Sequence, residues 1–424
     1  MTSATSPRGL EWFSRRELAK LPALLRVAPG DPAHQVTGKR ILQGLLLLLL
    51  AGGAAGLLAF FRGHHVLGTT HEIPWGVLIA GYVFFVVSST GLCLVSCLGH
   101  IFGIEILEPI AKRSVFLALV MMLSGFALIG LELERPLLLM WMAVASPNLS
   151  SPIWWMGMLY GVYLLALAGE LYLLLARKEP WARRVCQLKS IVAVAANTNL
   201  GFVFGSLHGR PFWFGGATPV YFIATAFVSG TALMMLMVYL TDRFSGEGTV
   251  RPPNEVLLRF LGKLLGLFLG ILLLFTVWRA LAGLASGGEH LFQVVRSLLV
   301  GPLFVSFWLF EGLLVLGLPL VVVLSGWRTR TGALVFAAAV TTLGMFLVRY
   351  NFVYAGQMLS LRPLTGPMGE IFDYSPPFKG TVAGILPYTP SWVEIAIVLG
   401  AVSFTILAYV VGNKVLTLGE EAEG

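Results

Sequence analysis

The chain has 424 residues, of which 57% are hydrophobic and 12% charged, with a mean hydropathy of +0.83. Soluble domains carry about 25% charged residues, so the composition excludes a water-soluble enzyme and indicates a polytopic membrane protein. The formal net charge of +8 does not imply nucleic acid, because Lys and Arg sit in short clusters between apolar runs and not along one face.

Residues 1–40 precede the first apolar run. Arg15-Arg16 resembles an export signal, but the apolar run starts too late, near Ile41, and is too long for a signal core. Leu10, Phe13, Leu18, Leu21, Leu24 and Leu25 recur near helical spacing with Arg15, Arg16 and Lys20 between them. That pattern predicts an amphipathic helix lying on the membrane surface.

A spanning helix needs about 20 mostly apolar residues. Runs of this kind cover 41–62, 74–100, 114–134, 152–176, 186–207, 218–241, 256–278, 297–325, 331–354 and 388–413. They are continuous rather than alternating, which rules against a barrel. The expected fold is an all-α integral membrane protein of about ten transmembrane helices in a membrane domain at 41–413. Two four-helix bundles, 74–207 and 218–354, are flanked by a first and a last helix, and a cytoplasmic tail covers 414–424. With the N-terminus inside, most of the 29 Lys and Arg residues fall on the inner side, seven of them from Arg8 to Arg40 and five from Arg177 to Lys189. Both termini are therefore expected in the cytoplasm. The long connection at 355–387 carries Arg362-Pro363, Gly366-Pro367 and Pro376-Pro377, which predicts an ordered loop or docking surface, not another helix.

Ionisable side chains at membrane depth are costly, so each is a functional candidate. They crowd the outer end. His71 and Glu72 open the second helix, Glu132, Glu134 and Arg135 close the third, His208 and Arg210 close the fifth, and Arg279 and Arg349-Tyr350-Asn351 end the seventh and ninth. Trp75, Trp154, Trp155 and Trp213 fall at the same level, where an ordinary interfacial belt would also place tryptophans. A belt explains the acids poorly; converging carboxylates, imidazoles and guanidiniums suit a site with proton donors. Deeper lie Tyr160, Tyr163 and Glu170 on the fourth helix, Asn197 and Asn199 on the fifth, and Glu311 beside Phe307-Trp308-Leu309-Phe310 on the eighth. A carboxylate in that setting can carry a proton, although Glu170 is close enough to the inner boundary to snorkel.

Cys93, Cys97 and Cys186 form no Cys-x-x-Cys and read as packing residues between helices, with no metal site. Two stacked haems would need about four axial ligands on apolar helices. Only His71, His100 and His208 lie near helices, each at an end. No haem or iron–sulfur cluster is expected in the chain. Without metal centres across about 30 Å of hydrocarbon, electrons should enter and leave a bound carrier on one side.

The chain resembles the NrfD/PsrC family, the membrane subunits of polysulfide reductase and related bacterial respiratory complexes, in its ten-helix branch. The resemblance is carried in order by Pro74-Trp75-Gly76 with Tyr82-Val83-Phe84-Phe85 and Gly91, Glu132-Leu133-Glu134-Arg135-Pro136, Ser151-Pro152 with Trp154, His208-Gly209-Arg210-Pro211-Phe212-Trp213, and Arg349-Tyr350-Asn351. Glu132 stands where the family more often has Asp. Within the branch the chain is most similar to the membrane subunits of periplasmic menaquinone reductase (Qrc) complexes, with DsrP-type, hydrogenase-type and alternative complex III subunits close behind.

The resemblance implies a subunit that binds menaquinone or ubiquinone near the periplasmic face of the bacterial inner membrane. A ferredoxin-like iron–sulfur subunit would dock there, with a molybdopterin-family or multihaem cytochrome subunit beyond it. His71, Trp75, Tyr82, Glu132, Arg135, Trp154, His208 and Arg210 are the expected quinone-binding residues, with Glu132, His71 and Glu72 catalytic. Tyr160, Tyr163, Glu170, Asn197, Asn199 and Glu311 are the expected proton path. Two rivals compete: a proton-coupled transporter, whose site would lie near the midplane, and a structural anchor for a peripheral oxidoreductase.

Overall fold

The computed structural model describes residues 32–133, 135–244, 254–359, 364–365, 371–372, 385–416 and 418. The surface helix expected between Leu10 and Leu25 lies outside the described residues, as do Glu134 and most of the expected tail. Ten described helices are long and apolar enough to cross a membrane. They are α1 (Pro32–Arg62), α2 (Val77–Phe102), α3 (Ala111–Glu132), α5 (Pro152–Leu175), α6 (Glu179–Gly205), α7 (Ala217–Phe244), α8 (Glu255–Ala285), a π-helical stretch (Ser306–Gly317) that continues as α10 (Leu318–Leu324), α11 (Thr331–Ala355) and α12 (Trp392–Val415). Two short helices, α4 (Pro136–Ala145) and α9 (Glu289–Leu299), lie between spans. In the long connection, β1 (Leu364–Thr365) pairs antiparallel with β2 (Ile371–Phe372).

Local chemistry sets the helix ends. Ser151 accepts a hydrogen bond from the Trp154 amide, and Pro152 occupies the first helical position of α5, where its missing N–H costs nothing. Asn254 caps α8 in the same way. The expected span at 297–325 is two elements, because Gly301-Pro302 breaks it. The residues before the break join the amphipathic α9, which buries Val294, Val295 and Leu298. The fifth span starts at Glu179 rather than 186, with Pro180 in its first turn. The seventh runs on to Ala285, since no breaker precedes Ser286-Gly287-Gly288.

The molecule is built around α2. In its most apolar stretch 94% of the residues are buried, against 22% for α1. It packs on α3, α6, α7 and α11, while α1 pairs with α12 beside α3. At the crossing of α2 and α7, a Cβ on Gly91 would strike the Ala226 carbonyl, and one on Gly230 would strike the Gly91 backbone. Glycine at both positions lets the two backbones touch, which binds the first helix group to the second. The start of α2, the ends of α3, α6, α8 and α11 and the start of α12 gather at one end, called here the Gly76 end. The opposite end contains Cys186.

Candidate functional site

At the Gly76 end, Glu132 is the last residue of α3 and is 5% exposed. Neither carboxylate oxygen makes a well-formed hydrogen bond among the described residues; the Gly76 backbone N–H approaches only weakly. Facing it are the Gly76 backbone and a second carboxylate, Glu394, in the first turn of α12. Glu394 is fully buried and well supplied with donors. Its Oε2 accepts from the amides of Gly68 (2.7 Å) and Ser391 (2.8 Å), and its Oε1 from the Tyr388 hydroxyl (2.7 Å). The Ser391 hydroxyl in turn accepts from the Glu394 amide, a capping box that fixes the helix start. The Tyr388 oxygen also accepts from the Val77 amide at 2.7 Å, tying the start of α2 to the start of α12. Burial, and then the Glu394 carboxylate, push the Tyr388 hydroxyl above the ordinary phenol range, so it keeps its proton and donates. Gly76 sits between the two acids: a Cβ there would collide with the Tyr388 oxygen and lie 2.6 Å from Glu394 Oε1.

An aromatic wall adjoins this pair. Trp75 stacks on Trp213 with ring centroids 5.2 Å apart and meets the edge of Phe204 at 5.1 Å. Buried Gln357 clamps its backbone, accepting from the Trp75 amide at 3.3 Å and donating to its carbonyl at 2.5 Å. Trp213 is 2% exposed and donates to the Phe352 carbonyl at 2.8 Å, so it is a core residue and not part of an interfacial belt.

A second group of polar residues crosses from the first helix group to the second. Tyr82 and Tyr160 are buried within electrostatic reach of each other, and Tyr160, whose hydroxyl has no partner among the described residues, also feels Arg349. Arg349 is 1% exposed, far from the boundary position its place in the sequence implied. Its guanidinium lies over the Phe222 ring at 4.8 Å and donates to Thr225. Glu311, in the π-helical stretch, pairs with Arg279 at 3.1 Å and accepts from Thr276 at 3.3 Å. Arg279 in turn lies over the rings of Phe212 (5.1 Å) and Tyr221 (5.0 Å). Extra residues per turn are rare and concentrate where side chains must be aimed; here they turn a carboxylate onto α8.

Near the Cys186 end, Glu170 forms an ion pair with Lys189, and both are buried. In the sequence Lys189 groups with the basic residues of a loop; α6 starts early enough to carry it into the membrane. Cys93 lies beside this pair and Tyr163, whose hydroxyl donates to the Ser89 carbonyl at 3.0 Å. Cys97 and Cys186, read from the sequence as packing residues, are joined as a disulfide. Asn197 is buried with both amide atoms unpaired among the described residues, whereas Asn199 donates to the Pro152 carbonyl at 2.9 Å.

The structure therefore divides the expected site residues. It brings Glu132 and Tyr82 into the interior around the start of α2, with Trp75 half-buried there. His71 is exposed on the preceding loop with Glu72 half-buried beside it, and Arg135 and His208 are exposed. The His208 Nδ1 lies 3.0 Å from the Ser206 carbonyl. Arg210 is half-buried and donates to the Leu359 carbonyl at 3.0 Å, and Trp154 donates to the Ala143 carbonyl at 2.8 Å. Sequence reasoning missed Glu394, Tyr388, Gln357 and the Lys189 pair. A signal existed for Glu394: Ser391-x-x-Glu394 before an apolar run is a capping-box pattern, which marks a helix start but not a second acid.

A family model described as "Polysulphide reductase, NrfD" matches residues 65–360. The chain is 28% identical over 419 residues to a putative dimethyl sulfoxide reductase membrane protein, the C subunit, of Halobacterium salinarum, covering 91% of this chain and 92% of that one. It is 26% identical over 383 residues to the Hdr-like menaquinol oxidoreductase integral membrane subunit of Archaeoglobus fulgidus (88% and 93%). It is 24% identical over 417 residues to the C subunit of selenate reductase from Mesobacillus selenatarsenatis (87% and 93%).

Proposed function

The chain belongs to the polysulphide reductase (NrfD) family, and on that premise we propose that it is the quinone-reactive membrane subunit of a respiratory oxidoreductase complex. The observation that carries the reading is Glu132, a buried carboxyl whose two oxygens make no well-formed hydrogen bond among the described residues, beside the Trp75 wall at the start of the most buried helix. Buried polar atoms are normally satisfied, and a quinone carbonyl or quinol hydroxyl would supply the missing partner. The names of the relatives, subunits of reductase and menaquinol oxidoreductase complexes, support the same class.

A bound menaquinone or ubiquinone would carry two electrons and two protons between lipid and a docked redox partner. Glu132 gives a proton to, or takes one from, the oxygen it faces. Trp75 and Tyr82 wall the ring and exclude water, which raises the cost of uncompensated charge and makes timely proton transfer necessary. Trp154, Arg135, His71, Glu72, His208 and Arg210 are assigned to the rim of this site. The Gly76 end faces the periplasm and both termini face the cytoplasm, since the opposite end gathers most of the Lys and Arg. A ferredoxin-like iron–sulfur protein docks at the Gly76 end and links the site to a molybdopterin-family or multihaem partner.

The reading extends to proton movement through the membrane depth by way of Tyr160, Tyr163, Glu170, Asn197, Asn199 and Glu311. Tyr160 and Asn197 support it, because their buried polar atoms make no bond among the described residues and can take water or proton partners. Glu311→Gln is expected to lower the proton-to-electron ratio in vesicles while quinone binding persists, and an unchanged ratio removes Glu311 from the path.

The central test is Glu132→Gln in the purified native assembly. Oxidation of a soluble naphthoquinol is expected to fall by about 100-fold, the lower range for loss of a general acid–base group, with the same set of proteins co-purifying. Turnover equal to wild type would defeat the assignment.

A further inference from the structure

We propose that Glu394, on a helix outside the family-matched residues 65–360, shares one proton with Glu132 across Gly76, so that a two-carboxylate couple exchanges the proton of the site. The proposal rests on the quinone reading of Glu132 given above. Its basis is the contrast between the two acids. Both are buried and close enough to repel, and among the described residues no ion pair reaches either. Two facing carboxylates in an apolar setting ionise in turn, so the couple holds one proton and one charge until the pH is high enough for the second proton to leave.

Hydrogen bonding decides which acid holds which. Glu394 has three donors, the Gly68 and Ser391 amides and the Tyr388 hydroxyl, and lies in the first turn of α12, where the helix dipole favours an anion. Glu132 has only a weak approach from the Gly76 backbone N–H among the described residues. The charge therefore belongs to Glu394 and the proton to Glu132. Among the described residues, the other titratable groups whose charge reaches Glu394 are phenols, Tyr388 from the preceding loop and Tyr350 from α11. They do not neutralise it. Gly76 keeps the gap open, since any side chain there would occupy the space against Glu394 Oε1.

In the oxidative direction, once the couple has released its proton, a quinol gives up two protons and passes two electrons to the docked partner. One O–H bond breaks as an O–H bond forms on ionised Glu132, which restores the one-proton couple, and the other proton passes to solvent at the rim. Glu394 acts through its charge, which makes ionised Glu132 a stronger base. It is a positioning residue for the proton and does not touch the quinone.

The test uses the native assembly purified through this chain, with 2,3-dimethyl-1,4-naphthoquinol as donor and a dye as electron acceptor, across a range of pH. Removing the neighbouring charge lets Glu132 reach its base form at lower pH. Glu394→Gln should therefore move the acid limb of the rate profile down by about one pH unit, with binding of the naphthoquinone analogue retained. Glu394→Asp keeps the charge and should restore the wild-type profile. Tyr388→Phe removes a donor from the anion and should move the limb upward. An unmoved limb in Glu394→Gln overturns the shared proton, as does a downward shift in Tyr388→Phe should Glu394→Gln fail to assemble. If Glu132→Gln turns over normally, the quinone-site reading itself has failed. If Glu132→Gln is inactive and the Glu394→Gln profile is unmoved, the shared proton alone has failed.

Discussion

Four glutamates are buried among the described residues, and they divide by what faces them. Glu170 has Lys189 and Glu311 has Arg279, whereas Glu132 and Glu394 have amides, phenols and each other. A buried acid with its own cation is a strut whose proton moves only when the pair opens, so any proton path through Glu170 or Glu311 must include opening of that pair. A buried acid without one is free to gain or lose a proton at small structural cost. The two paired acids join α5 to α6 and the π-helical stretch to α8. The unpaired acids meet where α2, α3 and α12 converge, which is where chemistry on a lipid-soluble substrate needs them.

The largest effect expected from this division is on stability at the Lys189 pair. Lys189→Met leaves Glu170 charged and alone in the core and should cost about 3–5 kcal/mol, read as a lower midpoint of unfolding in detergent. Adding Glu170→Gln should recover most of the loss, because a neutral pair needs no desolvated charge. A single variant as stable as wild type would mean that the ion pair is not formed. Arg279→Gln should cost less, about 1–3 kcal/mol, since Arg279 is 22% exposed and water screens part of the pair. That variant also gives up the contacts of Arg279 with Phe212 and Tyr221. If it proves costlier than Lys189→Met, exposure is not what separates the two pairs.

The fold was legible because spanning helices announce themselves by length and hydropathy. All ten spans and the central, charge-free α2 follow from that signal. Where the reading slipped, the competing signal was local: Gly301-Pro302 split the eighth run, and Pro180 opened the fifth early. The site was only partly legible. Glu132 stood out as an acid at the end of an apolar run, but the same rule promoted His71 and His208, which the structure leaves exposed. Sequence position gives depth along a helix and not the face on which a residue lies. Glu394 is distant from Glu132 in the chain, and its role as a helix cap concealed that it is also buried against another acid. Lys189 was hidden by company, since four basic residues from Arg177 to Arg184 made it look like part of a loop.

The smallest expected effect is the most discriminating. Glu132→Gln, which should abolish most quinol turnover, should change stability by no more than about 0.5 kcal/mol. The amide has nearly the volume of the carboxyl it replaces, and among the described residues Glu132 has no ion pair and no well-formed hydrogen bond to lose, while the Gln oxygen keeps the weak approach of the Gly76 N–H. Its new N–H groups lie in a region that already contains the Glu394 carboxylate, so one added donor offsets what little packing changes. A loss of several kcal/mol would show that Glu132 is a strut like Glu170, held by a cation, and that the division between paired and unpaired acids does not mark the site of proton exchange.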